Sequence, residues 1–524
     1  MAYSSATLQF VNQSRHTITG AFNETTAVVD HRSAFIYILA FLSILYLFTS
    51  RIDAGRKDGL PTVNRLFPFE PELFSRIRWG LGAKKILAKA QSKYPDQPYR
   101  LARGDMDVIV LPASFIPELN HLPPSVLTTR EFHAHTLLGH ITGIDIVKRT
   151  GFHVRILLNR ISPAINKVLH PIAHRMSAAI ARNMTQDTEE WSTIRPLDMY
   201  VKFVSEGVAY VLFGPPICDN PDMVRLCHHH TENIFTIVFI MRFVPAWLQS
   251  TLVWLLPYKW SLNRSWKTIE KTVVAEVRRR AREGDDHDAE DAISWMVRDG
   301  KTDFERDPGS LSRLIGALAG GSTYSTAGLV AGTVADLVAR PELLEEIRTE
   351  IRRKHEQVGG AWDKAAFNDL PKLDSVLKES ARVAPSSIVI YSRHMEADHR
   401  LSNGLLLRKG QKITVNAQIT SMDPKDYPDP EEFDGLRHMG AQPFRRVDDH
   451  LLTWGSGRWA CPGRFVANIM AKILLVELLH DYEFQFIDGK RPGSLALHEF
   501  MLIDPFSKIK VRRRKEVLGL RYEG

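Results

Sequence analysis

The sequence predicts a mainly α-helical fold with small β-sheets, set behind a single N-terminal membrane-spanning helix. Three observations predict it. Apolar residues recur at three- and four-residue intervals along most of the chain, as helices that bury one face require. One stretch, Ile388–Ala417, instead carries β-branched residues, polar interruptions and a Ser-Asn-Gly turn. Near the start, Ala34–Phe48 is uncharged and almost wholly apolar.

The elements follow in chain order. Residues 1–33 form an N-terminal tail that the charge bias after the apolar stretch would make lumenal; its two glycosylation triplets, Asn12-Gln13-Ser14 and Asn23-Glu24-Thr25, are common by chance and add little. Residues 34–50 reach the lower edge of a bilayer span. A cleaved signal peptide is the competing reading, but the segment starts late and no small-x-small cleavage site follows it. Arg51, Arg56 and Lys57 put the C-terminal bulk on the cytosolic side. Residues 51–60 are a linker, and the folded body runs from Pro61 to the end. Met176–Met184 and Trp266–Gly284 read as helices. Ser310–Gln357 reads as two long helices joined at Pro341. Met422–Phe433 is proline-rich and irregular, and Phe465–Asp481 reads as a buried helix.

Composition excludes several function classes. Three cysteines in 524 residues, Cys218, Cys227 and Cys461, make neither a disulfide framework nor a zinc ribbon. The charge of +8 suits anionic lipid or an acidic protein partner. Nothing resembling a nucleic-acid reading motif accompanies it. His228-His229-His230 near two of the cysteines reads as a solvated helix surface rather than a metal site, because consecutive helical side chains diverge.

Four places can carry chemistry. Cys461 sits in a glycine-framed turn, with Pro462 and Gly463 opening a helix whose N–H groups could stabilise a thiolate. Alone it reads equally as a buried, inert cysteine. Glu379 and Arg382 are three apart, on one helix face. Arg437 follows Pro430 and Phe433 in the irregular loop, where a guanidinium could meet that pair and lock helix to loop. Gly320, Gly321 and a run of hydroxyls interrupt a long helix, where tight packing is the plain alternative.

Taken together, their order and spacing resemble the cytochrome P450 family, from about Pro61 to the C-terminus. The segment Trp454-Gly455-Ser456-Gly457-Arg458-Trp459-Ala460-Cys461-Pro462-Gly463 is similar to that family's haem-ligating stretch. The stretches "SMDPKDYPDPEEFDGLRH" and "ACPGRF" resemble fungal, endoplasmic-reticulum enzymes that tailor terpenoids and related secondary metabolites. The resemblance implies the P450 fold and haem b held by Cys461, whose thiolate favours O–O cleavage. Trp454, Gly455, Gly457, Arg458, Trp459 and Gly463 would surround the cofactor. Glu379, Arg382 and Arg437 would be the structural triad behind it. The resemblance further implies O₂ as co-substrate and electrons from an NADPH–cytochrome P450 reductase, with cytochrome b5 as a second donor. Val383, Ser386, Ser387 and Ile388, with Gly321 and Ser322, would line the substrate pocket.

Two departures stand out. The ungapped match to the family's distal-helix pattern is Gly321-Ser322-Thr323-Tyr324-Ser325-Thr326, so Tyr324 occupies an acid position and Ser325 a threonine position. A register using Ala319–Thr323 is the alternative. Ser325, Thr326 and Tyr324 are the candidate catalytic groups; a phenol with an ordinary pKa near 10 is a poor substitute for a carboxylate in proton relay, which leaves water, Thr326 or a substrate hydroxyl to deliver protons. Trp459 stands where Arg or His holds a haem propionate, which shifts that role to Arg393. Two rival functions remain at this level: a haem-thiolate isomerase, dehydratase or peroxygenase needing no reductase, and a non-catalytic haem-binding membrane protein.

Overall fold

A computed structural model of the protein describes residues 59–67, 70–284 and 289–520, except for the side chains at 418 and 419. The chain divides into a small unit of residues 1–55 and 66–72 and a large unit of residues 56–65 and 73–524. The expected tail and anchor lie outside the described residues. Among the described residues, no helix is long and apolar enough to cross a membrane.

The large unit is a stack of helices with sheets at its margin. The helices that place the site are α1 (Glu72–Lys93), α2 (Ile165–Asn183), α3 (Pro196–Phe213), α4 (Pro221–Met241), α5 (Pro257–Glu283), α6 (Pro308–Ser322), α7 (Tyr324–Val338), α8 (Pro341–Gln357), α9 (Pro371–Val383) and α10 (Arg464–Asp481). Proline at the first position of α3 to α6, α8 and α9 fits a site whose N–H has no helical partner. One continuous apolar core joins α2, α3, α7, α8, α9 and α10. Helix α10 runs through its middle, with Ile473, Leu474, Leu475, Val476 and Leu479 fully buried.

The strand-like stretch forms β6 (Val389–Met395), β7 (His399–Arg400), β8 (Leu406–Leu407) and β9 (Lys412–Asn416). With β1 (Thr62–Val63), β2 (Tyr99–Ala102), β3 (Asp107–Leu111) and β4 (Leu127–Thr128), strands β6 and β9 build a mixed six-stranded sheet of order β1-β2-β3-β9-β6-β4. A second sheet has the order β10 (Tyr482–Phe486), β13 (Ile509–Arg513) and β5 (Ser192–Ile194). Strands β11 (Ser494–Leu497) and β12 (Phe500–Ile503) form a hairpin.

Two expectations are corrected. The helix expected before Pro341 is broken at Thr323 into α6 and α7, so Ser310–Gln357 holds three helices. Hydroxyls explain the break: Ser322 Oγ donates to Leu318 O at 2.5 Å and Thr326 Oγ1 to Ser322 O at 3.4 Å, competing with the helical ladder. The histidine run is not a solvated face. His229 is exposed, but His228 is buried, and His230 is fully buried with Nε2 3.2 Å from Gly316 O on α6.

The hairpin tip is fixed by buried charge. Glu499 meets Arg242 through two bonds of 3.0 Å and Arg103 at 3.3 Å, while Asp105 lies 3.0 Å from Arg103 and 3.2 Å from Arg242. Trp79 Nε1 donates to the same carboxylate. Buried ions this closely paired leave no uncompensated charge, and they hold the strand that carries Met501 to Ile503.

Candidate active site

The cysteine turn is shaped by its glycines. Gly455 and Gly457 lie at φ +72° and +66°, and a Cβ on Gly457 would stand 2.3 Å from Asn120 Oδ1. Asn120 ties the turn to the six-stranded sheet: its Nδ2 donates to Ser456 Oγ at 2.9 Å and its Oδ1 accepts from Tyr391 OH at 2.8 Å. Cys461 N donates to Trp454 O at 2.7 Å, closing the turn. The sulfur faces the N–H groups of Gly463 and Arg464 at the start of α10. Burial pushes the thiol up, against those two donors and the Arg464 charge.

Above the sulfur lies a cavity with about 1050 Å³ of empty space, mouth included. Tyr324, Ser325, Thr326 and Leu329 of α7 line it, together with Thr453, Trp454, Cys461 and Ala467. Ser380, Ala381, Ala384, Ser386, Arg491 and the hairpin residues Met501 to Ile503 also line it. The lining is mostly apolar, yet Ser380 Oγ and Thr453 Oγ1 are buried without a partner among the described residues. Such a chamber suits a largely apolar molecule with a few polar points.

Behind Cys461, Glu379 and Arg382 are fully buried and joined by two bonds of 2.7 and 2.8 Å. Arg437 Nε donates to Glu379 Oε1 at 3.2 Å, and the Asp434 N–H to the same oxygen at 3.0 Å. His438 Nε2, which the sequence reading missed, lies 3.0 Å from Glu379 Oε2. Arg382 spends its remaining donors on carbonyls of Ser421, Pro430 and Glu432, so α9 is pinned to the irregular loop. These donors hold the Glu379 carboxyl at about 2, and Arg103 and Arg242 hold Glu499 at about 2, both against the cost of burial. Folded values below the ordinary carboxylate value mean stability that is complete above about pH 5 and fades as pH falls toward 2. Denaturant midpoints measured at stepwise lower pH should fall through that window; a flat profile would contradict the network.

Arg393 is buried on β6. It donates to Ser392 O and, at 3.2 Å, to Ser456 O in the cysteine turn. Among the described residues its Nε has no partner, its guanidinium lies 3.9 Å from the centroid of the Tyr391 ring, and burial, opposed by Tyr391, depresses its pKa to about 10. His133 lies within its field, and His153, with an unpartnered Nδ1, lies within that of Arg130. Burial holds both imidazoles at about 4. The buried Arg393 charge with its open Nε, and the open His153 Nδ1, fit the carboxylates of an acidic cofactor. Lone histidines and one arginine far upstream leave no local sequence signal, which is why Arg130, His133 and His153 were missed.

The other predicted residues divide. Arg458 is exposed and Trp459 half-buried beside the turn. Ser386 lines the cavity; Gly321, Ser322 and Val383 are not among its lining. Ile388 is a correction: it is fully buried and packs with Trp79, Leu101 and Met501. Ser387 is spent on the backbone, its Oγ donating to Val389 O while its main chain bridges to Phe500.

The sequence model of the cytochrome P450 family matches residues 128–511. The chain belongs to the cytochrome P450 family. A cytochrome P450 monooxygenase AN1598 of Emericella nidulans is 29% identical over 96% of this chain and 97% of its own. Cytochrome P450 monooxygenase paxP of Penicillium paxilli is 28% identical over 90% and 94%. An ent-kaurene oxidase of Gibberella intermedia is 28% identical over 87% and 88%. This P450 is thus a monooxygenase by family, and its mainly helical body with small sheets agrees with the expected fold. Membership implies haem iron, and the residues around Cys461 fit it.

Proposed function

We propose that this P450 is a membrane-anchored, haem-thiolate monooxygenase of the endoplasmic reticulum that oxidises a hydrophobic secondary metabolite of the terpenoid class. Hydroxylation, epoxidation and desaturation all belong to that reading. Electrons would come from NADPH through a reductase, with cytochrome b5 as a second donor. The observation that carries it is one largely apolar chamber lined together by Cys461, Ser325 and Thr326.

Haem, when bound, supplies reductive activation of O₂. Cys461 would hold its iron, the Gly463 and Arg464 N–H groups spreading the sulfur's charge. Arg393, helped by His133, Arg130 and His153, would hold its propionates. If so, Arg393→Ala lowers haem affinity about tenfold or more, since a hydrogen bond to a charged group contributes about 1.5–3 kcal/mol. Haem-to-protein ratio after purification checks this; an unchanged ratio contradicts it. Leu329, Met501 and Ile503 exclude water and press the substrate toward the sulfur side. Ser325 and Thr326 offer hydroxyls that hold a proton at the cavity wall.

Two surfaces support the partners. Lys364, Arg445 and Arg446 line a groove beside Phe465 at the start of α10, a basic site for an acidic reductase. Trp247, Trp254, Leu255 and Trp260 are exposed on the segment between α4 and the start of α5, and Leu81 is exposed on α1. Arg76 of α1 donates to Val244 O at 2.9 Å, joining the two. Together with the apolar Ala34–Phe48, these aromatics favour a lipid surface. Replacing Trp247, Trp254 and Trp260 by serine should lower the anionic-vesicle affinity of protein lacking residues 1–58 several-fold; unchanged partition in sedimentation would contradict it.

The function is tested by coexpression with a reductase, feeding of terpenoid and polyketide scaffolds, and identification of products by mass and NMR. Tyr324 at the cavity wall keeps one rival in view, a reductase-independent enzyme. Turnover by purified protein without NADPH or reductase would favour it.

A further inference from the structure

Tyr324 stands half-buried at the start of α7, beside Ser325 and Thr326 on the cavity wall. Behind it sits a cluster from α3 and α4. The ring of His228 is 6.2 Å from that of Tyr324, and it stacks on His229 at 4.8 Å and 11°. His228 Nε2 is 3.8 Å from Asp198 Oδ1, and His229 Nδ1 is 3.1 Å from Glu232 Oε2. Exposure rises outward: 9% for the His228 side chain, against 47% for Asp198 and 57% for His229. Buried and solvent-facing titratable groups therefore follow one another from the cavity wall to the surface.

We propose that Asp198 and His228, with His229 and Glu232 setting the charge around them, form a proton entry path from solvent to Tyr324, and through it to the hydroxyls of Ser325 and Thr326. The inference rests on the monooxygenase reading: inserting one oxygen atom of O₂ consumes two electrons and two protons and releases one water, so protons must cross this wall. Each passage is an exchange. A solvent proton taken by Asp198 passes to His228 Nε2, which faces it, and His228 donates from its other nitrogen to the Tyr324 oxygen as the phenol gives its own proton inward. A bridging water closes the gap between the rings. Only O–H and N–H bonds form and break.

The charges suit these roles. Burial lowers the pKa of His228, as do His229 and Lys202, while Glu232 and Asp198 oppose them. It is thus neutral near pH 7 and free to accept. Burial, with Glu232 and Asp198, raises the pKa of Tyr324, so the phenol keeps its proton between exchanges. Tyrosine thereby stands in for the missing acid because a base is placed behind it.

The test uses haem-loaded full-length protein with its reductase. In Tyr324→Phe and His228→Ala, product per NADPH should fall roughly tenfold, within the range of general acid–base effects, with peroxide rising and the solvent deuterium effect growing. The exposed His174→Ala serves as control and should change none of these. A readout independent of turnover is the His228 imidazole titration, followed by NMR in reduced, carbon-monoxide-bound protein. In Tyr324→Glu it should move up by about one unit or more, as an opposite charge in proton contact requires. An unmoved titration, or unchanged coupling in both variants of an active enzyme, overturns the path. Wild-type protein that yields no product with any scaffold would instead sink the monooxygenase reading, leaving the titration to decide the contact.

Discussion

Arg382→Ala is expected to lower the unfolding free energy by about 3–5 kcal/mol, the cost of stripping one partner from a buried ion pair. The side chain is fully buried and grips both oxygens of Glu379 and the carbonyls of Ser421, Pro430 and Glu432. Removing it leaves a buried carboxylate served by Arg437, His438 and the Asp434 N–H, and three carbonyls without this donor. The loop those carbonyls belong to leads toward the cysteine turn, so haem retention should fall with stability. Arg382→Lys should recover little, because one ammonium cannot reproduce a planar fork. Denaturant midpoint and haem content measure both effects. A loss under about 1 kcal/mol would place the network among ordinary surface pairs.

Cys461→Ser is expected to abolish product formation. The substitution keeps shape and the Trp454 O contact of the backbone N–H. It replaces a soft, polarisable thiolate by an alcohol whose proton is far harder to remove. Folding should survive, since the network around Glu379 is untouched, so far-UV dichroism near that of the wild type separates a lost ligand from a lost fold. Product from this variant at a wild-type rate would mean that the sulfur does no chemistry.

Much of this was legible in the sequence, for identifiable physical reasons. Helix α10 announced itself because nearly every face of it is buried, giving an apolar run too long for a strand. The strand region was legible because β6 and β9 are rich in β-branched residues and the turn between β7 and β8 carries Ser402, Asn403 and Gly404. Glu379, Arg382 and Arg437 were joined in advance by the family resemblance; an arginine fork's fit to a carboxylate made their meeting conceivable but did not by itself select it.

What failed was mostly tertiary. The exception is the break at Thr323, which is local: the interrupting hydroxyl run was read in the sequence, but periodicity did not show that its bonds to nearby carbonyls end one helix and start another. His230 was misread because its partner, Gly316 O, lies 86 residues away. His438 lay beside an arginine already singled out, but only the folded loop turns its ring onto Glu379. Ile388 and Ser387 follow the helix that lines the cavity, yet pairing with the β11–β12 hairpin turns them away from it.

The absorption spectrum of purified, full-length protein, reduced and exposed to carbon monoxide, tests the central claim most directly. Sulfur ligation by Cys461 predicts the strongly red-shifted Soret band of a thiolate-bound haem, absent from Cys461→Ser. Colourless protein, a band at the position given by a neutral nitrogen ligand, or an unchanged band in the serine variant would contradict it.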